Sequence, residues 1–290
     1  MTNTVSLCMI CKNEQNNIGL LLDDVCQVLE EVIIVDTGST DNTLAILTEK
    51  SKQYPNLRIE HFQWVDNFSA ARNYSFSLAT QDFIFWCDGD DRVDSKDLFK
   101  FKNWALVNPN VDCWLLDYIY SSFPDGSPQL TLGRERFLRR AMNPRWVGAI
   151  HEVIDINSFR QQYYNELKIV HNRGSKVIEP KRNLKILEAE FAKNPNDPRT
   201  AYYYGKELFD HVDNKGIEIL EHYLTLPWRY YDDEVNARER LSRAYLALKD
   251  HGKAIRVANE IYHLDATRKR AGFYWIYGAV EQDLQNYEIA

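Results

Sequence analysis

Phe83-Ile84-Phe85-Trp86-Cys87-Asp88-Gly89-Asp90-Asp91 sets an apolar run of strand length against three carboxylates spread over four residues. Four consecutive buried-type residues fit a strand interior covered on both faces, with the aspartates where such a strand leaves its sheet. Open α/β sheets bind ligands at the carboxyl ends of their strands. Carboxylates packed this closely repel unless a cation neutralises them, and oxygen ligands of this kind suit Mg2+ or Mn2+ holding a phosphate. The same residues also read as a solvated acidic turn, because Asp and Gly dominate turns.

Other groups with chemical capacity are spread along the chain. Arg134, Arg136, Arg139, Arg140 and Arg145 gather five cations in an otherwise acidic sequence. Such density suits a diphosphate or a carboxylate surface, or a solvated hairpin face. Trp146-Val147-Gly148-Ala149-Ile150-His151-Glu152 places His and Glu side by side after small residues. His151 and His171 are the histidines with supporting context, as metal or diphosphate ligands or as structural residues. Cys8-Met9-Ile10-Cys11 is formally a Cys-x-x-Cys, but it lies in an apolar strand-like run with no second pair, which favours core packing over redox or zinc chemistry.

The elements that must position these groups alternate. Val5–Cys11, 31–36, 57–62 and 83–86 read as strands, and helical spacing follows each of them, ending with a helix near 95–107. Short connections between them are the pattern of a parallel sheet built from crossover units. Segments 111–120 and 130–138 read as a hairpin around the turn residues Pro124-Asp125-Gly126-Ser127-Pro128. Neither a Gly-x-Gly-x-x-Gly nor a P-loop fingerprint is present.

From about Pro180 the period becomes helical. Gly216–Leu224 aligns with Ala254–Tyr262 at an offset of about 38 residues, and Asn286–Ala290 begins the same element again. Paired helices with a period in the thirties are a tetratricopeptide-like signature, here degenerate. We therefore expect two domains, residues 1–175 and 176–290, the second incomplete at its C-terminus. Most aromatics of this half read as repeat core, and Tyr230-Tyr231-Asp232-Asp233 as the least core-like group.

The chain has 290 residues, a net charge of −7, 44% hydrophobic and 27% charged residues. This is globular composition, and its acidity speaks against a nucleic-acid binder. No apolar run approaches the roughly 20 residues that span a bilayer. The start lacks a basic, apolar signal pattern, and an odd set of 5 scattered cysteines favours a reduced, cytoplasmic protein.

Four segments together resemble family 2 glycosyltransferases of the GT-A fold. They are Val5–Glu14, Ile33–Thr43, Asn67-Phe68-Ser69-Ala70-Ala71-Arg72-Asn73 and Asp88-Gly89-Asp90, in the family's order. Arg136–Arg139, Trp146–Glu152 and Ile169-Val170-His171-Asn172 are similar to a bacterial subgroup in which tetratricopeptide-like helices follow the catalytic domain. The glycosyltransferases that modify the Ser, Thr or Cys side chains of glycocin-type peptides belong there. One departure is Ile10-Cys11-Lys12-Asn13, where many members carry a Pro-Thr-Tyr-Asn-like turn whose aromatic packs on uracil.

The resemblance implies an α/β GT-A domain followed by an all-α domain, and an inverting sugar transfer dependent on Mn2+ or Mg2+. The donor would be a nucleotide-diphospho-sugar, UDP-sugar first, held by Lys12, Glu14, Asp36, Arg72 and Asp88. Asp90 would ligate the metal with Asp88, joined by His171 or His151. Glu152 would be the general base, with Asp117 as the runner-up. A helical-repeat groove fits an extended peptide or protein acceptor. A lipid-linked or cell-wall saccharide is the alternative acceptor, and a non-catalytic repeat protein with a relic transferase domain is the alternative class.

Overall fold

The computed structural model describes residues 4–172, 179, 181–264, 278–280 and 282. The expected helix at 267–282 and the repeat start at 286–290 lie largely outside the described residues. Two compact units divide the chain, Met1–Ile178 and Glu179–Ala290.

The first unit is built on an eight-stranded sheet of order β3-β2-β1-β4-β7-β6-β10-β5. Its strands are β1 (Val5–Cys11), β2 (Glu31–Asp36), β3 (Leu57–His61), β4 (Phe83–Trp86), β5 (Asp91–Val93), β6 (Cys113–Ser122), β7 (Pro128–Arg139) and β10 (Gln161–His171). A separate ribbon pairs β8 (Trp146–Val147) with β9 (Val153–Ile154). The four-strand block β3-β2-β1-β4 is parallel, as the alternating pattern predicts. The hairpin strand β7 then runs antiparallel to both β4 and β6, while β10 is parallel to β6 and antiparallel to β5. The result is a mixed, mostly parallel sheet in an α/β unit, the GT-A architecture expected from the sequence.

Burial on both faces explains the near-continuous apolar strands. Val5, Leu7, Met9, Phe83 and Phe85 pack with α1 (Ile18–Val25), α2 (Thr43–Gln53) and α4 (Ser95–Leu106). Cys8, Ile10, Ile84 and Trp86 pack on the other face against α3 (Phe68–Ser77) and Trp146. Cys8 and Cys11 belong to these opposite layers, as an odd separation along a strand requires. All 5 cysteines are free and buried, and burial pushes the Cys8 thiol well above its ordinary value.

The second unit contains α5 (Arg182–Lys193), α6 (Pro198–Asp210), α7 (Lys215–Thr225), α8 (Tyr231–Ala247) and α9 (His251–Leu264). Asp197 caps α6 by accepting from the Thr200 amide at 2.8 Å, with proline at the first helical position. Consecutive helices pack as hairpins, α6 on α7 and α8 on α9. The segments aligned by the 38-residue offset are therefore the second helices of the two hairpins. Gly205 permits the close α6–α7 approach: a Cβ there would sit 2.5 Å from Leu220 Cδ2.

Candidate active site

The carboxyl ends of β1, β2 and β4 lie side by side in the parallel block, because the register sets Cys11 opposite Asp36 and Cys8 opposite Trp86. Each strand then hands a loop to the same edge. Asp36, buried at the end of β2, accepts from the amides of Gly38 and Ser39 at 3.0 and 3.1 Å. It shapes its own loop, and His61 approaches it at 3.8 Å. Asn13 braces that loop through the Thr40 amide at 2.8 Å, with Lys12 exposed beside it.

Asp88 to Asp91 form a tight turn closed from both sides. The Asp91 amide donates to the Asp88 carbonyl at 3.0 Å, and the Asp88 amide donates to Asp91 Oδ2 at 2.9 Å. Gly89 is needed because a Cβ there would meet Glu14 Cγ at 2.7 Å. Glu14 is thus a buried wall behind the turn, fixed by its own amide on Thr43 Oγ1 at 2.7 Å.

β10 completes the site. Antiparallel register with β5 sets His171 opposite Asp91, and the Asn172 amide donates to the Asp90 carbonyl at 2.7 Å. One ligand atom each from Asp90, Asp91 and His171 lies within 4.8 Å of the others. His171 Nδ1 is 3.7 Å from Asp90 and 3.8 Å from Asp91, distances at which the attraction is ionic rather than hydrogen bonded. The Asp91 carboxylate first, then Asp90, raise the imidazole above its usual value against the opposing effect of burial. Asp91 Oδ1 and His171 Nδ1 are buried with no hydrogen-bond partner. Orphaned acceptors of this sort are rare in folded proteins and mark a place for a cation. The residues therefore fit a divalent metal, with two carboxylates and one imidazole as donors.

Beneath the turn lies Arg136, wholly buried, donating to Asp91 Oδ2 at 2.9 Å. Its guanidinium stacks between Trp86 at 3.8 Å and Tyr118 at 4.4 Å. Tyr120 stacks on His171 at 5.4 Å and fixes the ring from the other side. The sequence places Arg136 in a cationic cluster and in the Arg136–Arg139 segment, without a role of its own. The signal for burial is its alternation with the core residue Leu138 on β7, two positions along the same face.

A second arginine organises the acceptor side. Arg72, on α3, donates from Nη2 to Asp88 at 2.6 Å and from Nε to Glu152 Oε1 at 2.7 Å. It lies between Trp86 at 5.2 Å and Trp146 at 4.8 Å. Burial opposes ionisation of Asp88, but Arg72, aided by Arg136 and Arg134, outweighs it and holds the carboxyl well below the usual range. The 146–152 loop is tied to α3 by paired bonds between Asn73 and the Trp146 backbone, both at 2.9 Å.

The structure thus gathers Glu14, Asp88, Asp90 and His171, brings Arg72 and Glu152 to them through Asp88, and adds Asp91 and Arg136. His151 stands beside Glu152 with a left-handed backbone, φ 52°, and is not in the metal-type cluster. Asp117 is on the opposite sheet face from Tyr118 and is engaged by the Tyr163 hydroxyl. Of the remaining arginines, Arg139 pairs with Asp112 at 3.0 Å, and Arg140 and Arg145 are exposed.

A mixed α/β sheet with an acidic turn at its strand ends and a carboxylate held beside it has the parts of a group-transferring enzyme. The chain belongs to glycosyl transferase family 2, whose model matches residues 6–168. It is 26% identical over 230 residues to the SPbeta prophage-derived glycosyltransferase SunS of Bacillus subtilis, covering 76% of this chain and 52% of that protein. The chain thus spans about half the length of the curated relatives it first matches. A TPR repeat-containing protein of Synechococcus elongatus is 40% identical over 89 residues, 31% of this chain and 21% of that one. Among solved structures, TarS 1-349 of S. aureus in complex with UDP-GlcNAc aligns at 16% identity with a TM-score of 0.48, covering 98% of this chain and 89% of that one. The mannosyltransferase PcManGT of Pyrobaculum calidifontis, in complex with GDP-Man and Mn2+, aligns at 16% identity with a TM-score of 0.47, covering 99% and 88%. Among the described residues no helix is long and apolar enough to cross a membrane.

Proposed function

We propose that this family 2 glycosyltransferase moves a sugar, with inversion, from a nucleotide-diphospho-sugar to a peptide or protein side chain, and that it needs a divalent metal. The observation that carries the reading is the Asp90, Asp91 and His171 cluster with two orphaned buried atoms. A bound Mn2+ or Mg2+ supplies positive charge to the departing diphosphate. The imidazole in the donor set favours Mn2+, since Mg2+ prefers oxygen alone.

Asp36 and the loop it shapes receive the nucleoside, with Lys12 at the rim. Glu14 keeps the acidic turn in place. Asp88, held ionised by Arg72, faces the ribose side. Glu152 is the base: its Oε1 is held by Arg72, and Oε2 takes the proton of the attacking hydroxyl or thiol. The acceptor atom forms the new bond to the anomeric carbon as the bond to the diphosphate oxygen breaks, and that electron pair leaves with the diphosphate. UDP as the nucleotide and a peptide as the acceptor rest on the resemblance to the glycocin-type subgroup.

The test is UDP-sugar hydrolysis with Mn2+ by wild type and Asp90→Ala. We expect loss of about 10²–10³-fold in the variant, together with loss of the Mn2+-dependent rise in melting temperature. Equal rates in the two proteins would remove Asp90 as a metal ligand. Glu152→Gln should keep donor and metal binding while transfer to the acceptor falls.

A further inference from the structure

Within the helical unit, the turn before α6 and the α7–α8 connection enclose a hollow of about 330 Å³. That volume lies at the small end of the range for small-molecule sites. Its walls carry Asn196, Arg199, Trp228, Tyr230 and Asp233, with Tyr223 lining it as well. Trp228 is 93% exposed and Tyr230 is exposed too. The Trp228 backbone is left-handed, φ 60°, a conformation that costs a bulky residue energy and turns the indole out.

Two polar features, Tyr223 and Asp233, show that this hollow is unfinished. The Tyr223 hydroxyl is buried without a hydrogen-bond partner, on a side chain 1% exposed. Asp233 is half-buried with neither an ion pair nor a hydrogen bond to its carboxylate among the described residues. Burial raises its carboxyl above the ordinary value, with Arg199 opposing. Arg199 itself lies over Tyr203 at 5.0 Å and adds positive charge to the same rim.

We propose that this hollow is a binding subsite for one neutral sugar ring, a hexose or N-acetylhexosamine carried by the acceptor or the product. The mixed signs decide the ligand class: a lone cation would meet Arg199, and a lone anion would meet Asp233. A neutral polyhydroxyl ring satisfies both, donating to Asp233 and Asn196, accepting from Arg199 and the Tyr223 hydroxyl, and resting its apolar C–H face on Trp228 or Tyr230. Aromatic rings with a few polar groups aimed across a small cavity are the general solution for such ligands. The subsite lies apart in sequence from every residue assigned to the transfer, so it stands independently of the donor chemistry.

Saturation-transfer NMR on the full chain, with methyl glycosides of glucose, galactose, N-acetylglucosamine and N-acetylgalactosamine, tests it. We expect at least one glycoside to bind wild type and Asp90→Ala alike. Affinity should fall at least roughly tenfold in Trp228→Ala and in Tyr223→Phe, with melting temperatures unchanged. The Tyr223→Phe variant separates binding from folding, because removing an unpartnered buried hydroxyl is near neutral or stabilising. Absence of binding by every glycoside, undiminished binding by Trp228→Ala, loss in Asp90→Ala, or binding confined to Lys- or Arg-containing peptides would each overturn the assignment. Since no turnover is read, an inactive donor site leaves this outcome unaffected.

Discussion

Arg136 in the first unit and Trp228 in the second invert the usual placement of their side chains. The guanidinium is 0% exposed, while the indole is 93% exposed. Charged groups avoid interiors and large apolar ones avoid water, so both positions cost stability on their own. The costs are offset differently. The Arg136 charge is met within the fold, by Asp91, the Trp86 carbonyl and two aromatic faces, while its Nε and Nη2 have no hydrogen-bond partner. Trp228 has no such compensation among the described residues, beyond the rim it shares with Tyr230. A charge neutralised internally supports a site from behind, and a group left exposed beside a hollow is aimed at something else.

The largest break in this contrast is Arg136→Met. It removes the guanidinium paired with the buried Asp91, and urea unfolding should show a loss of about 3–5 kcal/mol. Combining it with Asp91→Leu should recover a substantial part, because removing both partners is far cheaper than removing one. A single variant as stable as wild type would show that Arg136 does not neutralise the turn.

A second buried pairing sharpens the comparison away from the site. Asp112 accepts from Arg160 at 2.7 and 2.9 Å and from Arg139 at 3.0 Å, and these guanidinium bonds, Arg160 first, hold its carboxyl well below the usual range. Asp112→Asn should cost about 1.5–3 kcal/mol at neutral pH. A depressed folded value means that the contribution is present above the unfolded value of about 3.9 and fades as pH falls through the lower folded one. The gap between wild type and Asp112→Asn should therefore be constant above about pH 5 and narrow below about pH 4. A gap unchanged with acidification would contradict the ionised pairing.

In the helical unit the tight place is apolar. Gly205→Ala drives a Cβ to within 2.5 Å of Leu220 Cδ2, so loosening of the α6–α7 hairpin should cost about 1–3 kcal/mol in thermal unfolding. The smallest effect is expected at Trp228→Ala, within about 0.5 kcal/mol of wild type. A large loss there would mean that the indole is a packing residue after all.

Much of this was legible from residues alone. The Phe83–Trp86 run is buried throughout, and Asp88 and Asp90 after it leave the sheet at the edge that α/β logic favours, while Asp91 re-enters it as the start of β5. Arg72 and Glu152 were named from motif, and their direct bond joins segments 80 residues apart. What the sequence hid is long-range. β10 opens on polar and tyrosine residues and is mostly exposed or half-buried, so neither its length nor its insertion between β6 and β5 follows from periodicity. Without that insertion Asp91 has no visible role, because its partners His171 and Arg136 arrive from other strands. Asp117 shows the converse. Its type suits a base, and its engagement by the Tyr163 hydroxyl, a partner 46 residues away, is not readable from the sequence.

The pairing of His171 with Asp91 has a consequence for assembly. The acidic turn forms locally, within four residues, yet its third donor comes from about 80 residues further along the chain. Contacts of such separation are slow to form and are entropically costly to close. A nascent or truncated chain ending before β10 would therefore display every recognisable motif of the first hundred residues and still lack a metal centre. An ion bound there would act as a late clasp, joining the sheet's last central strand to the short β5 at its margin.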